Sequence, residues 1–304
     1  MTDMTLLSGD ATELGLAPTT KPRGLSRRAW EVFAQNKLAL AGIAFVIFII
    51  LFCFVGPIIY STNQTNTDLS LYLCRPSASH LLGCDDLGYD ELGRLMVGGQ
   101  TSLEVGLAAA AVSVLFGTLY GAISGFAGGF VDAVMMRIVD AGLSLPSLMV
   151  LIIASVIFHP TKTVIVFVIA FFYWFGVARL VRGETLTLRT REYVQAVRVI
   201  GGRPMRSVVR HIVPNAIGTI IVQGTFAVAD SILILAVLGF LTLGVAPPAT
   251  DWGSMLSGGL TYIQGGNYWW LIYPPGVAII LTCISFNFIG DALRDAFETR
   301  LQRR

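Results

Sequence analysis

The sequence is short of charge, of lysine and histidine, and of cysteine, and each shortage excludes something. Charged residues are 13% of the 304 positions against 54% apolar, with mean hydropathy +0.71, a balance that excludes an ordinary soluble globular domain. None of the lysines follows a glycine, so the chain has no G-x-x-x-x-G-K-[ST] phosphate loop and does not hydrolyse ATP in that manner. The three histidines, His80, His159 and His211, are scattered. No HExxH or paired CxxC pattern accompanies them, so no metal site is expected. Nothing signals a Ser/His/Asp cluster either, which sets a membrane enzyme aside. A net charge of +2 gives no reason to expect a nucleic-acid partner.

Four cysteines complete the list of scarcities. Cys53 and Cys283 fall inside apolar runs and read as small core fillers. Cys74 and Cys84 lie ten positions apart in a polar segment and form a candidate disulfide, with two unrelated thiols as the other reading. No cleavable secretory leader is expected, because the first apolar run begins only near Leu38 and is long enough to span a bilayer.

What the sequence has instead is apolar length. A helix needs roughly 20 apolar residues to cross a bilayer. Six stretches qualify: Leu38–Tyr60, Ser102–Gly125, Ile138–Phe158, Val164–Val181, Ala216–Gly239 and Leu271–Gly290. The expected fold class is an all-α membrane protein of about six transmembrane helices. With the N-terminus inside, 18 Lys and Arg fall on the inner side and only Arg75, Arg94 and Lys162 outside. That asymmetry predicts that both termini are cytoplasmic.

In order, residues 1–25 read as a disordered tail. Residues 26–37, with Trp30 and Phe33 on one helical face and Arg27, Arg28 and Lys37 near lipid headgroups, read as an interfacial helix or as a simple basic anchor. The first span covers 38–60 and an outside segment 61–101. The remaining spans lie within 102–291, and 292–304 is a charged inner tail. The outside segment carries Asp85, Asp86, Asp90 and Glu91 at a spacing that does not match an EF-hand loop, so a docking or structural loop is expected.

Gly106, Gly117, Gly121 and Gly125 in the second span predict close helix approach. Arg137 and Asp140, one helical turn apart, predict an ion pair. Asp230 is the one acid deep in the fifth span. Three roles stay open for it: lining a pathway, carrying a proton, or pairing across helices.

The loop 183–215 is the exception to this apolar character. Arg191, Arg198, Arg203, Arg206 and Arg210 crowd into it, so it belongs outside the hydrocarbon. Gly201-Gly202 would stop one short helix, and Pro204 suits the first turn of another. A folded basic elbow between two spans has no work in lipid, which predicts contact with another protein.

This elbow resembles the EAA loop of binding-protein-dependent ABC importers, whose pattern is E-A-A, three residues, Gly, nine residues, then I-x-L-P. Gln195-Ala196-Val197, Gly201, His211, Val213 and Pro214 fall at those spacings, with Ala196, Gly201 and Pro214 retained. E-Y-V-Q-A and R-H-I-V-P-N flank it as in the dipeptide/oligopeptide/nickel permease subfamily, C-type subunit. The stretch Gly83–Leu103 resembles that subfamily's segment before the second span, with Cys84 in place of Thr and Tyr89 in place of Arg. Gly239–Gly253 resembles its loop after the fifth span, and Leu235 stands where many relatives have an acid.

The resemblance covers about Ser26 to Arg300 and implies a type I importer-like permease in the bacterial inner membrane. It would form half of a peptide pathway among membrane lipids, beside a homologous permease. ATP and Mg would sit on a separate ATPase, with no cofactor on this chain. Glu192, Gln195, Ala196, Gly201, Arg203, Arg206 and Pro214 would couple to that ATPase. An extracytoplasmic binding protein would dock near Asp85, Asp86, Asp90, Arg94 and Trp252, and Asp230 would face the pathway. The competing reading is an ion-coupled secondary transporter using Asp230, although no inverted repeat is evident.

Overall fold

The computed structural model describes residues 32–158, 161–192, 194–195, 206, 208–262 and 266–301. The regular elements of the described residues are helices, with one isolated β-bridge between Cys84 and Asp90. We number the longer helices α1 (Lys37–Phe54), α2 (Glu91–Ala127), α3 (Gly129–Ser144), α4 (Ser147–Ile157), α5 (Lys162–Leu188), α6 (Ile217–Phe240), α7 (Trp252–Leu260) and α8 (Tyr273–Leu301). Five spans are long and apolar enough to cross a membrane, and α3 with α4 makes a sixth if that bent pair counts as one.

The bend between α3 and α4 is 83°. Its cause is local: Pro146 pushes the preceding residue out of the helical region, and Leu145 is extended at φ −82°, ψ 136°. The continuous third span suggested by hydropathy is therefore two helices.

Helix α2 begins at Glu91, well before the apolar run at Ser102, because Asp90 caps it by accepting from the Gly93 amide at 2.8 Å. Its 37 residues at about 1.5 Å each make a rod about 55 Å long, against a hydrocarbon core of about 30 Å. The helix therefore overhangs the bilayer. Gly117, Gly121 and Gly125 lie against α5, so closely that a Cβ at Gly121 would collide with the Ala178 carbonyl, while Gly106 faces Ile232 of α6. α5 is the helix it packs against most extensively, and α6 is held between α2 and α8.

The expected Arg137–Asp140 pair is replaced by pairs between helices. Arg179 of α5 bonds Asp140, and Arg182 reaches Asp132 of α3 through Nε and Nη2, both at 2.6 Å. Ser124 donates to the same Asp132 at 2.5 Å, so three helices meet at one carboxylate. α8 continues as helix to Leu301 through most of the stretch read as a tail. Of the segment 26–37, residues 26–31 lie outside the described ones. Phe33 is buried among Ala39, Ala292 and Ala296, so it packs on α8. Asn36 caps α1 by accepting from Leu38 and Ala39, each at 3.1 Å.

Candidate functional site

Polar chemistry gathers at the two ends of the bundle. The first end is a cap built from residues 60–90 and α7. Cys74 and Cys84 are joined in a disulfide, and the Cys84 amide also donates to the Cys74 carbonyl at 2.9 Å. Gly88 takes φ +79° where a Cβ would collide with the Asp68 carbonyl, so only glycine closes this turn.

Asp90 is nearly fully buried. Beyond capping α2, it accepts from the Tyr60 hydroxyl at 2.9 Å and meets His80 Nδ1 at 3.0 Å. Asp85 accepts from the Leu87 and Tyr89 amides at 2.9 and 2.8 Å and pairs with Arg94 at 3.3 Å. Arg94 also lies over the Tyr89 ring, 4.3 Å from its centroid, so the tyrosine that departs from the subfamily pattern supplies a cation–π partner. Burial pushes the Asp85 carboxyl above the usual carboxylate range, opposed by these amides and by Arg94.

Trp252 is fully buried, so it offers no surface to a docking protein. Its Nε1 donates to the Leu95 carbonyl at 3.0 Å, and its amide donates to Ser102 Oγ at 3.2 Å, which ties α7 to α2. Asp251 caps α7 through the amides of Gly253 and Ser254, and burial raises its carboxyl pKa as well. Between this loop, α7 and the head of α2 lies a cavity of about 440 Å³, lined by Asp85, Asp86, Glu91, Arg94, Thr250 and Tyr262 among others. Sequence reading placed Glu91 in the acidic cluster but gave it no site role. Ligand atoms of Cys74, His80 and Cys84 lie within 4.8 Å of one another, the only such group among the described residues. With both sulfurs in the disulfide, that group is left with one ligand.

The second end is the basic elbow. Ala196, Gly201 and Arg203 lie outside the described residues. Its roots are Val194, Val208 and Ile212, buried in one cluster with Ala122 and Phe126 of α2, Val177 and Val181 of α5, and Ala216 and Ile220. A single π turn, Val208–Ile212, leads through exposed Pro214 to α6. Glu192, Gln195, Arg206 and Arg210 are exposed beside those roots. The Gln195 side chain donates to the Thr190 carbonyl at 3.1 Å. Arg189 Nη1 donates to the Gly125 carbonyl at 2.9 Å, fastening α5 to the end of α2.

Between the two ends, Asp230 is exposed midway along α6 and makes no ion pair with a described residue. Leu235, one turn and a half further on, is fully buried among Val105, Ala109, Ile165 and Ile169.

Residues 117–303 match the family described as binding-protein-dependent transport system inner membrane component. Residues 24–75 match the N-terminal transmembrane domain of oligopeptide transport permease C. The dipeptide transport system permease DppC of Bacillus subtilis is 37% identical over 275 residues, 90% of this chain and 86% of that one. The oligopeptide transport system permease OppC of the same organism is 37% identical over 296 residues, 97% of this chain and 95% of the relative. OppC of Haemophilus influenzae is 37% identical over 280 residues, 91% and 89% respectively. A helical bundle with a basic elbow at one end and matches along nearly its whole length make this chain a member of the ABC-importer permease family, a transport subunit of the bacterial inner membrane and not an enzyme.

Proposed function

We propose that the chain forms half of the translocation pathway of an ATP-driven peptide importer, with the elbow in the cytoplasm and the disulfide cap outside. The observation that carries the reading is the construction of the elbow. Val194, Val208 and Ile212 fasten it to α2 and α5, while Glu192, Gln195, Arg206 and Arg210 point outward. An exposed, charged element rooted in two long helices passes a push to the spans, which a loose loop cannot do. The partner at this end is a separate ATPase carrying ATP and Mg. Ala196, Gly201, Arg203 and Pro214 complete the contact by their place in the EAA pattern.

Orientation rests on the 18-to-3 split of positive charge and on a disulfide that persists only in an oxidising compartment. An extracytoplasmic binding protein docks on the cap, where Leu69, Tyr72, Leu81 and Leu87 are exposed around the partly exposed Asp85, Asp86 and Arg94. Asp90 and Trp252 support that face from within. Asp230 fits a position facing the homologous permease across the pathway, because an unpaired carboxylate turned to lipid costs several kcal/mol. Peptides are the cargo class assigned, on the strength of the dipeptide and oligopeptide permeases it resembles.

The test is purification of the intact membrane complex, followed by ATPase and uptake assays with Gly201→Asp and with Arg206→Glu/Arg210→Glu. An ATPase should co-purify with the unaltered chain, and both variants should weaken its retention or uncouple hydrolysis from uptake. A chain that purifies alone and transports without nucleotide overturns the reading in favour of an ion-coupled carrier built on Asp230.

A further inference from the structure

The cavity at the head of α2 has a composition that the coupling and docking roles do not use. Three of its lining residues are carboxylic acids, Asp85, Asp86 and Glu91, against one cation, Arg94. Two of the acids are engaged already. Asp85 holds two backbone amides and Arg94, and Asp86 accepts from the Tyr262 hydroxyl at 3.1 Å. Glu91 is different: it is 3% exposed, and while its amide donates to the Gly83 carbonyl at 3.0 Å, its carboxyl makes no hydrogen bond or ion pair with a described residue. A carboxylate so buried and left without a donor is expensive as an anion, and a cationic or donor group entering the cavity relieves that cost.

The geometry points to this cavity as a binding site for the α-ammonium group of a small peptide, with Glu91 as the counter-ion. A bare divalent cation fits less well. Calcium takes 6–8 oxygens at about 2.3–2.6 Å, whereas two of the three acids here are committed and a guanidinium shares the wall. The volume, about 440 Å³, belongs to small organic ligands, whose pockets run from about 300 to 1,000 Å³. An ammonium offers three donors, one of them to Glu91 and another to the Thr250 hydroxyl oxygen, and the peptide's carbonyls find Arg94 on the same lining. The permease would then hold its cargo by the amino terminus at the outer end, before the pathway. This deepens the peptide-import reading and rests on it.

The experiment uses the full chain in lipid nanodiscs, titrated calorimetrically with L-alanyl-L-alanine, with its N-acetyl derivative and with calcium chloride. The dipeptide should bind, and acetylation should weaken it about tenfold or more, the loss of a buried charge-assisted contact. Glu91→Gln should have an effect of the same size. In case Glu91→Gln disturbs the cap, Gly258→Leu gives a second route: a Cβ there meets open space at the cavity wall, and the leucine should block binding while leaving the helical content unchanged. Equal binding of free and acetylated dipeptide overturns the assignment, as does indifference to both substitutions. Calcium binding that requires Glu91 and excludes the dipeptide also overturns it, in favour of a metal site. ATP-driven uptake of the dipeptide by the whole complex separates the two failures. Uptake without cavity binding removes this site and leaves the function standing, and binding without uptake does the reverse.

Discussion

The two ends of this molecule are held by different physics. The cap is a polar construction, in which a disulfide, the Asp90 hydrogen bonds, the Asp85 turn and the Arg94–Tyr89 contact fix a loop that buries few large side chains. The elbow is an apolar one, fastened by Val194, Val208 and Ile212 beneath a charged outer surface. A part that must keep its shape in a variable outer solution is stapled locally. A part that must follow the spans is welded to them and lets its charges face a partner.

The sharpest way to break the comparison is at the elbow root. Ile212→Ala removes a fully buried side chain, and should destabilise that end by about 2–5 kcal/mol while leaving the cap intact. Hydrogen exchange resolved along the chain would show new opening near 208–220 and unchanged protection at 61–90; opening at both ends would mean that the two are one cooperative unit. Reducing the Cys74–Cys84 bond should do the converse, loosening the cap by about 2–4 kcal/mol with the elbow unaffected, as read by limited proteolysis with and without reductant.

Asp90→Ala comes next, at about 1–3 kcal/mol, through the loss of the α2 cap and the acceptor for Tyr60. Asp90→Asn should recover part of that loss, and thermal unfolding of the two variants would show whether it does. A smaller effect is pH-dependent. Asp85, facing Arg94 and Asp86, and Asp251 have carboxyls raised by burial. Each contributes stability that is whole below about pH 4 and is lost as pH rises through its folded value. The cap should therefore melt at a lower temperature at neutral pH than in mild acid, and Asp85→Asn should flatten that slope. The smallest structural effect belongs to Arg210→Ala. It should shift stability by no more than about 0.5 kcal/mol, since the side chain is exposed, while still lowering ATPase coupling in the assembled complex.

Much of this plan was legible in the sequence. Apolar length marked the spans, small residues in the second span announced close packing, and the arginine-rich loop stood out because charge of that density cannot enter hydrocarbon. What hydropathy could not show was where helices run on through polar residues or break inside apolar ones. Glu91–Thr101 reads as loop because it mixes glycine with charge, yet Asp90 starts a helix there. Ile138–Phe158 reads as one span, yet Leu145 cannot stay helical before Pro146. Asp140 found Arg179 across a helix interface and not Arg137 on its own helix, a choice made by tertiary packing. The resemblance of its loop places Trp252 near the docking surface, and only the fold shows it covered by α2. The cavity beside Glu91 needs three separate segments brought together, so no single stretch could announce it.

The uninterrupted length of α2 has a mechanical meaning. One rod carries Glu91 at the cavity and Phe126 among the elbow roots at its other end. A lever of about 55 Å that pivots by about 10° at its midpoint displaces its tips by about 5 Å in opposite directions. That travel is about one helical turn, enough to exchange one set of side-chain neighbours for the next. Spin labels placed at the two tips would report it as anticorrelated distance changes against α8, so the event that presses on the arginines and the event that empties the cavity would be a single stroke of a single beam.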